Sequence, residues 1–169
     1  MEKQRTLASS ASLTGSALHT GENVTLTILP APVGHGFKFQ RIDLPDEPVV
    51  DAAAGNVKTV ERATTLVQGA VKIHTVEHVL SALTGMGVDN ALIQMDANEP
   101  PIGDGSASAY ISLIKEAGIV TQDADRRYLQ RDVAAGDVGS RSSEHAKHPG
   151  ARVGSAANHL DRLAGPVVD

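Results

Sequence analysis

Val24, Leu26 and Ile28 alternate with Thr25, Thr27 and Leu29, and the run stops at Pro30. This is the period of two of a strand with one buried face, ended by a residue that cannot donate to a ladder. Residues 4–13 are rich in Thr and Ser with weaker alternation, residues 36–42 place Phe37 and Phe39 on one face, and residues 64–68 and 70–73 read as short strands joined at Gly69. The period then changes. Over residues 75–84, Val76, Val79, Leu80 and Leu83 recur at i, i+3, i+4 and i+7, with Gly85 and Gly87 just beyond, which predicts a helix with one buried stripe. Residues 88–95 return to a strand pattern. Asp104, Gly105 and Ser106 offer capping side chains to a second helix over residues 107–117, with Tyr110, Leu113, Ile114 and Ala117 as its stripe and Gly118 closing it. Antiparallel strands followed by helix, strand and helix predict an α+β fold, a β-rich layer with two helices packed on one face. No internal repeat is present.

Composition divides the chain. Its 169 residues have the length of one domain, and with only two Phe and two Tyr the core must be built from Val, Leu, Ile and Ala. Residues 1–122 hold 8 Lys/Arg against 13 Asp/Glu, which is the whole net charge of −5, whereas residues 123–169 hold 7 against 7. In that second part Leu129, Val133, Val138, Val153, Leu160 and Leu163 are scattered among Gly, Ser, Ala, Arg and His without a period. The expected organisation is therefore a domain over residues 1–122 and a low-order tail over residues 123–169.

Charge and cysteine usage narrow the chemistry. Dispersed Lys and Arg with a pI near 5.8 provide no basic stripe, so nucleic acid is not an expected partner. Residues 1–18 lack an apolar signal core and no apolar run reaches a membrane-spanning length, which makes a cytoplasmic protein the expectation. With no Cys, any metal must be held by His, Asp or Glu. Glu77 and His78, beside the helix stripe, combine an acid with an imidazole, as a hydrolytic zinc site requires; a helix-start Glu next to an exposed His is the plainer alternative. His74 to His78 also fits H-x-x-E-H, the pattern of an inverzincin-type metallopeptidase with both histidines as ligands. His19, in the Leu18-His19-Thr20-Gly21 turn, and Asp104, in the loop leading to the second helix, are further candidates that turn geometry and capping would also explain. The tail histidines, His145, His148 and His159, have no helical frame or carboxylate set around them.

Taken in order, QRTL (4–7), LHTG (18–21), VTLTILPAP (24–32), the Thr64-Thr65 strand, HTVEHVLSALTGMGVDNALIQMD (74–96) and EPPIGDGSASAYISLIKEAG (99–118) resemble the amino-terminal domain of UDP-3-O-acyl-N-acetylglucosamine deacetylase, the zinc amidase of lipid A biosynthesis. The resemblance implies the first of two similar α+β domains, with the active site between them. It implies that His78 is a ligand of Zn2+ and Glu77 the general base. Asp104 matches a family carboxylate near the site and His19 a family turn, as candidates for substrate contact or for supporting the ligands. The implied substrate is the acylated UDP-N-acetylglucosamine.

The family's second domain supplies two more ligands from an H-K-x-x-D helix, a later His as general acid and a passage for the acyl chain. None of these is recognisable after Ala124. The expectation is a truncated form with a foreign or out-of-frame extension, and with marginal stability and self-association through its exposed domain face. A catalytically inactive fragment or binding module is the alternative, ahead of the metallopeptidase.

Overall fold

A computed structural model of the chain describes residues 2–59 and 63–128. In chain order the elements are β1 (Lys3–Leu7), β2 (Ala11–Ser16), β3 (Asn23–Pro30), β4 (Phe37–Arg41), β5 (Val49–Asp51), β6 (Val57–Thr59), β7 (Thr65–Gln68), β8 (Val71–Ile73), α1 (Glu77–Gly85), β9 (Ala91–Met95), α2 (Ser108–Ala117) and β10 (Ile119–Asp125). The fold is α+β. Its main sheet has the order β2-β3-β9-β4-β5, antiparallel except for the parallel pair β4 and β9. A three-stranded sheet β6-β7-β8 and the antiparallel pair β1-β10 accompany it.

The alternation read in β3 is what buries one face of the main sheet. Val24, Leu26 and Ile28 are wholly buried, as are Phe39, Val50, Ala91, Ile93 and Met95 on the neighbouring strands. All of these except Val24 share one core with Val79, Ala82 and Leu83 of α1 and Tyr110, Leu113, Ile114 and Ala117 of α2. Both helices therefore cover a single face, as the pattern predicts. Ser12, Thr14, Thr25, Thr27 and Gln94 occupy the other face, where Ser12 pairs with Thr27 and Thr14 with Thr25 across the ladder.

Boundaries differ from the sequence expectation for local reasons. Residues 4–13 are two strands, because the chain bends at Ala8 and Ser9 to complete the end of α2: their N–H groups donate to the Gly118 and Ala117 carbonyls, and the Ser9 hydroxyl also donates to Ala117. α1 begins at Glu77, two residues later than predicted, since Thr75 has φ of +54° and cannot be part of a right-handed helix. Leu80 is half-exposed, and Ala82 takes its place in the buried stripe. α2 ends where expected, at Gly118 with φ of +71°. β10 runs through the expected domain boundary at residue 122. It is anchored by buried Asn90, whose Nδ2 donates to Gln4 Oε1 on β1 (2.9 Å) and Gln122 Oε1 on β10 (2.7 Å). Arg126 adds a bidentate pair to Asp89 (2.7 and 3.0 Å). Residues 129–169, including His145, His148 and His159, lie outside the described residues.

Candidate functional site

The turn after β2 carries His19 to one end of the fold. Ala17 bridges Pro101, and Ile102 donates its N–H to Ser16, so the segment after β9 runs beside this turn. That contact brings Glu99 to His19. Glu99 is fully buried, and its carboxylate takes the His19 backbone N–H on Oε2 (2.9 Å), the His19 Nδ1 on Oε1 (2.7 Å) and the Thr75 hydroxyl on Oε1 (2.6 Å). Three donors on one carboxylate satisfy a group that would be costly to bury alone.

Burial by itself pushes the Glu99 carboxyl up. The Thr75 and His19 hydrogen bonds and the His19 charge outweigh it, holding the group below the ordinary carboxylate range. A carboxyl with a lowered folded value contributes stability above its unfolded value of about 4.3, and that contribution is lost as pH falls through the folded value. Acid unfolding curves should therefore show loss of stability below about pH 4.3 in which Glu99 takes part. A carboxyl resonance of Glu99 titrating at or above that value would contradict this.

Glu77 is the first residue of α1, where a carboxylate meets the positive end of the helix dipole. Its Oε2 accepts the Thr64 N–H (3.1 Å), tying the helix start to the entry of β7. His78 follows it, half-buried, and its Nδ1 is buried with no hydrogen-bond partner among the described residues. A buried imidazole nitrogen without a partner calls for a group that the described residues do not supply, and imidazole is a side chain whose chemistry suits a zinc ion. No cluster of three metal-ligating side chains exists among the described residues, so His78 would be one ligand of a set completed elsewhere.

A cavity of about 610 Å³ opens between the His19 turn and the β6-β7-β8 sheet, lined by His19, Lys58, Thr65, Lys72, His74 and Glu99 among others. His19 and His74 thus share a cavity. Glu77 and His78 do not line it, but Thr64, which holds Glu77, lies between its lining residues Ala63 and Thr65.

The H-x-x-E-H reading needs His74 and His78 one turn apart on one helix. His74 instead precedes the left-handed Thr75, outside α1, and its Nδ1 pairs with the Thr65 hydroxyl (3.0 Å), so that ligand pair does not form. Asp104 is exposed and does not line this cavity. It does not cap α2; it accepts the Ser106 N–H (2.9 Å) and hydroxyl (2.7 Å), and Ser106 in turn accepts the Ser108 N–H (3.1 Å). Glu99 and Thr75 were not singled out by sequence. An acid in front of two prolines is the one local signal at Glu99, and its partner lies 80 residues away.

An acid–imidazole pair thus opens α1, and the cavity nearby holds a second imidazole bound to a carboxylate, within an α+β domain. The family model described as "UDP-3-O-acyl N-acetylglycosamine deacetylase" matches residues 4–149, and the chain belongs to that family. It is 48% identical over 130 residues to the UDP-3-O-acyl-N-acetylglucosamine deacetylase of Saccharophagus degradans, covering 77% of this chain and 43% of that protein. It is 45% identical over 145 residues to the protein of the same name from Pseudomonas entomophila, covering 85% and 48%. A bifunctional enzyme LpxC/FabZ of Porphyromonas gingivalis is 48% identical over 128 residues, covering 76% and 28%. The chain thus spans no more than about half the length of these curated relatives, and the family match continues past residue 122.

Proposed function

We propose that the chain contributes one part of a site that deacetylates UDP-3-O-acyl-N-acetylglucosamine in lipid A biosynthesis, a cytoplasmic reaction, with Glu77 as general base and His78 as a ligand of Zn2+. The observation that carries this is the Glu77–His78 pair at the first turn of α1, with the His78 Nδ1 buried and unpartnered, in a chain of this family. Glu77 takes a proton from water as the water oxygen bonds to the carbonyl carbon of the 2-acetamido group. The C–N bond then breaks, the amine nitrogen gains a proton from an acid outside the described residues, and acetate leaves. Zinc, when bound, supplies Lewis-acid stabilisation of the negative charge that develops on the carbonyl oxygen. His19, with its ring held by Glu99 and half exposed to the cavity, is assigned to substrate contact. Asp104 is assigned to shaping the loop before α2 rather than to chemistry, since its carboxylate is engaged by Ser106.

Elemental analysis of the purified chain, together with deacetylation of the acylated UDP-sugar, tests the reading. With one ligand supplied by the described residues, zinc on the purified chain is expected to be weakly held and below one per chain, turnover to be correspondingly low, and both to be lost in His78→Ala. Zinc retained in His78→Ala removes the ligand assignment, and UDP-sugar binding without zinc or turnover would favour a binding module. No helix among the described residues is long and apolar enough to cross a membrane. Leu18, Val33 and Val120, among the exposed large apolar side chains of the described residues, are the candidates for self-association, which a concentration-dependent sedimentation coefficient would reveal.

A further inference from the structure

We propose that Glu99 is a positioning residue that holds two parts of the site with one carboxylate: the imidazole of His19 in the cavity, and the turn from which α1 presents Glu77 and His78. The assignment rests on the proposed function only for what His19 and Glu77 then do. The positioning itself stands on geometry.

The first half is the ring. An ionised carboxylate only accepts hydrogen bonds, so the 2.7 Å contact to Glu99 Oε1 requires the proton on His19 Nδ1. The neutral ring is thereby fixed as the Nδ1–H tautomer, which leaves the Nε2 lone pair free. Nε2 has no partner among the described residues, and the side chain is 49% exposed. The second bond from Glu99, to the His19 backbone N–H (2.9 Å), fixes the main chain of the same residue, so ring and backbone are clamped together. Carboxylate–imidazole pairs orient catalytic and ligating histidines in this way.

The second half is the turn. Thr75 is β-branched and sits at φ of +54°, a conformation that persists only where its surroundings enforce it. Those surroundings are Glu99, which takes its hydroxyl proton (2.6 Å), and Asn98, whose carbonyl takes the preceding His74 N–H (2.8 Å). Two residues after Thr75 the helix begins with Glu77. No bond or proton of the proposed reaction passes through Glu99, yet it is the fully buried acid of the described residues, and all three of its bonds go to these two segments.

Imidazole nitrogen NMR of the full chain, with His19→Gln as the assignment control, tests the first half without metal or substrate. At a pH where His19 is neutral, the wild type is expected to show the Nδ1–H tautomer; an Nε2–H tautomer would overturn the proposal. In Glu99→Gln the amide offers one acceptor oxygen for three donors, so the His19 signals should move toward the Nε2–H form. Exchange of the His74 amide should also speed up about tenfold or more, as expected for losing a hydrogen bond to a charged group. A folded Glu99→Gln with both readings unchanged overturns it. Thr75→Val serves where Glu99→Gln does not fold: it should speed His74 exchange and leave the His19 tautomer as it was, and no change in exchange again overturns the proposal. Because neither reading involves zinc or turnover, failure here leaves the deacetylase proposal standing, and failure of deacetylation leaves this one standing.

Discussion

Glu77→Gln is expected to lower deacetylation by about 10²–10⁴-fold, the usual contribution of a positioned general base. The amide keeps the size of the side chain and can still accept the Thr64 N–H that Glu77 Oε2 accepts at 3.1 Å. Loss of rate without loss of fold is therefore the predicted signature, with the thermal midpoint nearly unchanged because a single carboxylate at a helix N-terminus contributes only about 0.3–1 kcal/mol. The loss should fall on kcat more than on KM, since proton transfer belongs to the chemical step. Zinc content should stay at the wild-type level, because the assigned ligand is His78. A variant with wild-type kcat would remove Glu77 from the role of base, and one that lost zinc as well would show that the carboxylate acts on the metal.

The parts of this site that sequence made legible are the ones governed by short range. The period of Val76, Val79 and Leu83 sets which way α1 faces, and with that face fixed Glu77 and His78 must leave it together. The same holds for β3, where alternation alone places Val24, Leu26 and Ile28 in the core. What sequence did not show is governed by contacts across many residues. Glu99 is one carboxylate in a polar loop until the Ala17–Pro101 bridge lays that loop along the His19 turn. Thr75 looked like the first residue of a helix because propensity has no term for a hydroxyl captured by a distant carboxylate. The His74–His78 spacing failed for the same cause: one residue in the left-handed region between them ends the helical frame on which the motif depends.

Phe39→Ala is expected to cost about 3–5 kcal/mol of stability, the range for removing a fully buried aromatic ring from a core. Phe39 is wholly buried in β4, directly opposite Ile93 on the parallel strand β9 and Val50 on β5. Its ring bridges the part of the sheet between the β9 core and the edge. The chain has two Phe and two Tyr and no Trp, so few other large rings are present to repack into the space. A domain stable by about 5–15 kcal/mol would lose a large share of its margin, and the thermal midpoint should drop by roughly 10–20 °C. Phe37, two residues earlier on the same face, is only half-buried at the start of β4, so Phe37→Ala should cost distinctly less. Equal losses for the two variants, or a Phe39→Ala midpoint within a few degrees of wild type, would show that β4 does not carry the centre of the core.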